Sequence, residues 1–289
     1  MSATLGTATT RDAGRAAVSG RRPRRRSGRG GRGLSWALRL GSLLVAVFVW
    51  QLLTVNGVRL WLRFDQLPSP LDVYQAFRQQ LGTAQYYRDL TQSLLRILTG
   101  FAIAGVLGTG AGVLLARSRL AANLLGPLLE VARPIPAIAL VPIAILVFPT
   151  NEQGIVFITT TAAFFPVVVS TRHAVRSLPT TWEEALLTMG ASRGYVLRTV
   201  TLPGILPGVF SGLSVGMGVA WICVISAEMI SGSLGLGYRT WQAYTIVDYP
   251  AVVVGMLSIG ALGWFTSAAV ELAGRRLTRW LPSEQRKAR

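Results

Sequence analysis

Four charged side chains stand within or beside long apolar runs, and they are the residues best placed to do chemistry: Arg96, Glu130, Arg133 and Glu228. A charge inside a bilayer costs several kcal/mol unless it is paired or hydrated, so each is a functional candidate by default. Glu228 has no basic residue near it in sequence; it either faces a path through the protein or bonds across to another helix. Glu130 and Arg133, at i and i+3, can neutralise each other on one helix face. Arg96 lies near one end of its apolar run, where a long basic side chain is expected to snorkel to the headgroups.

Other chemistries lack their residues. Cys223 is the sole cysteine and His173 the sole histidine, so neither a disulfide within the chain nor a thiol or imidazole metal cluster can be assembled. His173, beside Arg172, reads as a surface residue. The single lysine is Lys287, which follows no Gly-rich loop, so an ordinary P-loop is excluded. Any ATP-driven work must place the nucleotide on another chain. No carboxylate pair marks a catalytic pocket, and neither a catalytic residue, a cofactor nor a metal is expected.

The elements that hold these charges are set by composition. The chain has 289 residues, of which 51% are hydrophobic and only 14% charged. Leu40–Val55, Ile97–Ala116, Ile135–Phe148, Ile155–Thr171, Ile205–Ala227 and Ala251–Val270 are candidate spans. A bilayer core of about 30 Å needs about 20 helical residues, and most of these runs approach that. They carry no polar face, which a soluble helical core would require. The expected fold is therefore an all-α membrane protein with about six transmembrane helices. Residues 34–55 form the first span. Leu67-Pro68-Ser69-Pro70 is expected to turn into a short interfacial helix carrying Val73, Tyr74 and Phe77, and the second span to begin near Ser93. Pro134 and Pro136 should break the third span, leaving a half-helix over 120–133 and the remainder over 136–148.

The formal charge of +17 is distributed in a way that argues against nucleic acid. Of the 29 basic residues, nine lie in 1–33, two are Arg117 and Arg119, four lie in 171–201 and six in 275–289. With six crossings all four groups fall on one side, and the positive-inside rule makes that side cytoplasmic, with both termini. Residues 1–33 are a low-complexity basic tail, expected to be disordered and suited to anionic membrane lipid. No aromatic residue interleaves the arginines, as single-stranded RNA binding would want. No small-x-small site follows the first apolar run, so a cleaved signal peptide is not expected.

One polar stretch, about 180–203, lies between strongly apolar segments. Thr181 with Glu184 three residues later predicts a capping box and a helix start. Trp182, Ala185, Leu186 and Met189 recur at helical spacing and give one apolar face. Gly190 suits a helix end that needs positive φ. Ser192 can cap a second short helix with Tyr195, Val196 and Val200 on one side, and Pro203 and Pro207 are expected to end it. Glu183, Glu184, Arg193 and Arg198 are left for a polar partner outside the membrane.

The spacing Glu184-Ala185-Leu186, three residues, Gly190, nine residues, Val200-Thr201-Leu202-Pro203 resembles the coupling loop of binding-protein-dependent ABC transporter permeases. That family has Ala at the position of Leu186 and Ile at that of Val200; both exchanges are apolar for apolar. Further tags stand in the order of the nitrate, sulfonate and taurine importer branch: Leu67-Pro68-Ser69-Pro70, Ser93-Leu94-Leu95-Arg96 with Gly100-Phe101, Arg133-Pro134-Ile135-Pro136, Ala227-Glu228-Met229 and Leu234-Gly235-Leu236-Gly237-Tyr238. The resemblance covers roughly 65–280. Phe148-Pro149-Thr150-Asn151 departs from the family's usual Phe-Gly turn.

The resemblance implies a permease that moves a small anion by ATP-driven alternating access. Its partners would be a second permease copy, two cytoplasmic ABC ATPase subunits and an extracytoplasmic solute-binding protein. Glu183, Glu184, Ala185, Gly190, Ala191, Arg193, Leu202 and Pro203 then form the ATPase-coupling loop. A bare carboxylate in an anion path would repel cargo, so Glu228 is assigned a structural or gating role and Arg96 a candidate role in attraction. Two other classes fit the spans: an ion-driven transporter or channel working without an ATPase, and an integral membrane enzyme. Neither accounts for the two-helix loop, and an ATPase that co-purifies with the chain separates the three.

Overall fold

A computed structural model describes residues 30–57, 67–231 and 234–280, with side chains described from Leu38 onward. Every regular element among the described residues is helical. The basic tail up to residue 29 and the last nine residues lie outside the described part.

The chain divides into two units, residues 1–49 and 50–289. Helix α1, Gly30–Val55, contains an 18-residue apolar stretch long enough to cross a membrane. In the second unit the elements run α2 (Pro70–Leu81), α3 (Ala84–Arg117), α4 (Arg119–Ala132), α5 (Val141–Val147), α6 (Asn151–Arg176), α7 (Thr180–Thr188), α8 (Arg193–Val196), α9 (Leu202–Ser231), α10 (Leu236–Thr245) and α11 (Tyr249–Leu277). Five helices are long and apolar enough to span, or six when the broken pair around Pro134 and Pro136 counts as one. That pair, α4 and residues 137–147, is bent by 86°. The proline pair therefore breaks the segment as expected, because neither residue can donate to the helical ladder.

The expected interfacial helix is α2. Ser69 accepts from the Asp72 amide at 3.2 Å, and Asp72 accepts from the Ser69 amide at 3.1 Å, a reciprocal cap with Pro70 in the first turn. Helix α3 starts earlier than expected, at Ala84, and its 34 residues extend about 50 Å, well beyond a bilayer core. Its first turns carry Asp89, which precedes the span expected from sequence, and Ser93, at which that span was expected to begin; both are buried.

The centre of the unit is α6, clasped between α3 and α9. Lipid tails are as apolar as leucine, so membrane helices associate through close packing rather than water exclusion, and small residues permit it. On α3, a Cβ at Gly100, Gly108 or Gly112 would lie 2.7, 2.9 and 2.6 Å from the side chains of Thr159, Val167 and Thr171 on α6. On α9, Gly212 meets Ser170 at 2.7 Å in the same way. One helix thus carries β-branched knobs that fit glycine grooves on one flank, and small residues on the other. Ile97, Ile155, Ile158, Met217, Ala220 and Val224 fill the core between them.

Two ends of the bundle can be distinguished. One holds the close of α3 and α6 with α7, α8 and the start of α9. The other holds the start of α3 and α6, the end of α9, α10 and the start of α11.

Candidate functional site

The polar stretch folds as two short helices around a glycine. α7 ends at Thr188, and Gly190 takes φ +84°. The Ala191 amide donates to the Leu186 carbonyl at 3.0 Å and the Gly190 amide to Leu187 at 3.0 Å. These two bonds are a Schellman closure with glycine at the left-handed position. Ser192 then accepts from the Tyr195 amide at 3.3 Å and caps α8.

Two local expectations are corrected. Thr181 makes no capping box: α7 starts two residues earlier than a Thr181 cap would give, with Pro179 as its N-cap and no side-chain cap bond. Pro179 fixes its own φ and presets the turn, which leaves the Thr181 hydroxyl without that task. Pro203 and Pro207 do not end α8 either. A wide turn over Leu197–Thr201 joins α8 to α9 and shifts the hydrogen-bond ladder just before Pro203. Pro203 falls in the first turn of α9, where a missing N–H costs nothing, and Pro207 is carried inside the helix.

The loop is fastened to the bundle by a three-residue clamp. Arg117, at the end of α3, donates to the Glu183 carboxylate at 2.6 Å and to the Thr201 hydroxyl. Thr201 in turn donates to Glu183 at 3.0 Å. Thr201 is fully buried, so the triangle is shielded on one side. Each group satisfies two others, and charge-assisted bonds of this kind are the strong ones. Glu183 is therefore committed inward, whereas Glu184 and Ala185 stay exposed. Arg193 is exposed at the rim of a cavity of about 560 Å³ beneath the loop, which Arg117, Glu183, Leu187 and Val196 also line. The outer surface carries exposed apolar side chains, Trp182, Met189 and Tyr195, Met189 by 82%, beside the exposed Glu184. Ala191 is half-buried, Leu202 exposed and Pro203 half-buried at the root of α9.

The other end of the bundle carries an ion network. Arg96 is 2% exposed; it does not snorkel. Its Nη1 donates to Glu228 at 2.8 Å and to the Leu234 carbonyl, and its Nε donates to Glu152 at 2.7 Å. Arg96 Nη2 closes a second bond to Glu152. Glu228, fully buried, also accepts from Ser93 at 2.8 Å and from the Gly237 amide at 2.9 Å. The Ser93 hydroxyl accepts from the Leu236 amide at 2.9 Å, and Asp89 accepts from the Gly235 amide at 3.1 Å. The network thus ties α3, α6 and α9 to the segment that leads into α10. Gly235, with φ +123°, has no room for a side chain: a Cβ would lie 2.5 Å from the Glu228 carboxylate.

Arg96 and Glu228 are brought together, which their separation in sequence hid. Ser93, Asp89, Glu152, Gly235 and Gly237 complete the arrangement and were not singled out from sequence as site residues. Two signals were present: Ser93 and Arg96 at i and i+3, and the alternating glycines of 234–237. Glu130 and Arg133 do not pair with each other; Glu130 reaches Arg172 on α6 at 3.8 Å. Arg133 keeps helical backbone at the end of α4, but Glu130 finds its partner across the packing on α6 instead of one turn along its own helix. His173 is exposed, as read. Among the described residues, no group of His, Cys, Asp and Glu could hold a metal.

Residues 104–281 match the family described as binding-protein-dependent transport system inner membrane component. A probable ABC transporter permease protein of Brucella melitensis is 34% identical over 84% of this chain and 96% of its own length. The bicarbonate transport system permease protein CmpB of Synechococcus elongatus is 28% identical over 78% of this chain and 84% of its own. The nitrate import permease protein NrtB of Leptolyngbya laminosa is 26% identical over 85% and 88%. Among solved structures, a chain of the MetNI methionine ABC transporter, in an inward-facing conformation, superposes with a TM-score of 0.55. It is 23% identical and is matched over 68% of this chain and 96% of that one, a likeness of fold. The all-α bundle, the broken third span and the loop around Gly190 have the same explanation: this chain belongs to the inner membrane components of binding-protein-dependent ABC transport systems.

Proposed function

We propose that this chain is the membrane-spanning subunit of an importer for a small oxyanion, of the nitrate, bicarbonate or sulfonate kind. It works as a pair of copies, with two ATPase subunits on the α7–α8 side and a solute-binding protein on the α10 side. The α7–α8 side and both termini face the cytoplasm, in keeping with the distribution of arginines. ATP is hydrolysed on the ATPase subunits, and this chain catalyses no bond chemistry. It converts their closure into a rocking of the spans between inward-open and outward-open states.

The observation that carries this reading is the clamp of Arg117, Glu183 and Thr201. An exposed loop serves as a lever only if it is stiff and joined to what it moves. α7 is joined to α3 through Arg117 and to α9 through Thr201, so a push on Trp182, Met189 or Tyr195 moves both helices that clasp α6. The printed names of the bicarbonate and nitrate relatives support an anion as cargo. Glu228 is then a fastening of the far end, held by Arg96 and kept out of the path.

The test is uptake in proteoliposomes that contain the chain with its ATPase and binding protein. Labelled nitrate, bicarbonate and an alkanesulfonate are offered singly. Accumulation of one of them, dependent on ATP inside and binding protein outside, is the expected result. Accumulation without the ATPase, or of cations alone, would overturn the reading.

A further inference from the structure

We propose that a built oxyanion site lies at the α7 end of the bundle, between α3, α4 and α6. A cavity of about 220 Å³ there is lined by Arg133, Arg172, His173 and Arg176, with Glu130 the only carboxylate on its wall. That volume holds a small oxyanion with a few of its waters.

The charges on this wall are not balanced from within. Glu130 touches only Arg172, at 3.8 Å, and its side chain is 74% exposed, so the contact is a weak surface pair. Arg133 and Arg176 meet no carboxylate within 4.0 Å among the described residues. The Nε of Arg172 is buried and has no hydrogen-bond partner. Buried donors on a charged group are normally satisfied, because leaving one unmade costs its full desolvation. The two terminal Nη groups of a guanidinium form a fork that matches two oxygens of a nitrate, carboxylate, sulfonate or phosphate, and with its Nε shut off from water Arg172 meets a ligand through that end. Arginines that serve only the inside-positive bias would stand in water on loops. Here Arg172 is half-buried in a recess between helices, with Arg133 and Arg176 exposed at its mouth.

The cavity is also placed on a route. Arg133, Phe165 and Val169 line both it and a larger cavity of about 500 Å³ between the broken helix, α6 and α9. The larger cavity is mainly apolar, with Thr161 and Ser170 among its few polar side chains. An anion leaving it at this wall meets Arg133 first, then Arg172 and Arg176. Binding at the site stands on the geometry alone. Its use as an exit station rests on the import reading above.

The same oxygens could come from translocated cargo or from an anionic phospholipid headgroup, and two arms separate these sources. In the first, the full chain in phosphatidylcholine nanodiscs is unfolded thermally in sodium nitrate or sodium methanesulfonate against sodium chloride at equal ionic strength. A rise of about 3 °C is expected at saturating oxyanion. The rise should vanish in the Arg172→Gln/Arg176→Gln double variant, persist in Arg172→Lys/Arg176→Lys, and persist in Arg119→Gln, which lies outside the cavity. In the second arm, discs doped with phosphatidylglycerol are examined by native mass spectrometry. A retained phosphatidylglycerol that the Gln double variant loses assigns the site to headgroups; an oxyanion rise without it assigns the site to free anion. Either outcome supports the site. Wild type that shows neither the rise nor the retained lipid overturns it, as does a Gln double variant that keeps both. Failure of uptake with the rise intact would refute the transport reading and leave the site standing.

Discussion

Arg96→Ala is expected to be the most damaging single substitution in the chain. It leaves Glu228 fully buried at the end of α9 with its charge unanswered, and it removes the Leu234 carbonyl's donor. Deleting one partner of a buried pair costs about 3–5 kcal/mol, far more than the pair itself contributes relative to apolar residues. Glu152, whose side chain is 47% exposed, can turn to water and adds little to the loss. The expected outcome is a sharp fall in membrane level and in thermal stability in detergent. Glu228→Gln should be milder, since Ser93 and the Gly237 amide can still bond to an amide oxygen. The combined Arg96→Met/Glu228→Leu variant should recover part of the stability lost in Arg96→Ala. A double-mutant cycle reads this directly. If the costs of Arg96→Met and Glu228→Leu simply add in that double variant, the two side chains are not coupled and the network is wrongly drawn.

The second large effect is functional rather than structural. Gly190 takes φ +84°, and a Cβ placed there would meet nothing within 4 Å. Any cost of substitution therefore arises from the backbone and not from crowding. A left-handed conformation costs an ordinary residue about 1–2 kcal/mol, and a β-branched residue resists it further. Gly190→Val should open the Schellman closure and misplace α8 relative to α7. The six spans lie elsewhere and should remain folded. Uptake should be abolished while the membrane level stays normal. Asn tolerates the left-handed region, so Gly190→Asn should restore most of the uptake. Equal loss in the Val and Asn variants would mean that the conformation at Gly190 is not what matters.

Much of this architecture was legible in local sequence, because it rests on local physics. Apolar runs of span length, the break at Pro134 and Pro136, the turn at Gly190 and the cap at Ser192 each depend on residues within a few positions of one another. What could not be read depends on neighbours brought in by the fold. Arg96 and Glu228 are 132 residues apart, and Arg117 and Glu183 are 66 apart. At the end of an apolar run Arg96 fits a snorkelling side chain, and the acids that hold it instead, Glu152 and Glu228, come from α6 and α9. Glu130 was given Arg133 because the next helix could not be seen to supply Arg172. The persistence of the helix through Pro203 and Pro207 has a different reason: Pro203 follows directly on a wide turn, and Pro207 is carried inside a long helix packed on α6. The glycines at 235 and 237 were visible as a pattern, but their reason, the carboxylate that lies against them, was not.

The central claim is that the α7–α8 loop is where the ATPase pushes. The most direct measurement is photo-cross-linking from a short benzophenone attached to single cysteines in place of Trp182, Met189 and Tyr195, in a Cys223→Ala background, with the ATPase co-expressed. Trp182, Met189 and Tyr195 are exposed on the outer surface of the loop, so each substitution leaves the clamp intact. The account predicts an adduct with the mass of this chain plus one ATPase subunit, formed in membranes and greatly reduced by Gly190→Val. Full uptake with no adduct from any of the three positions would contradict it.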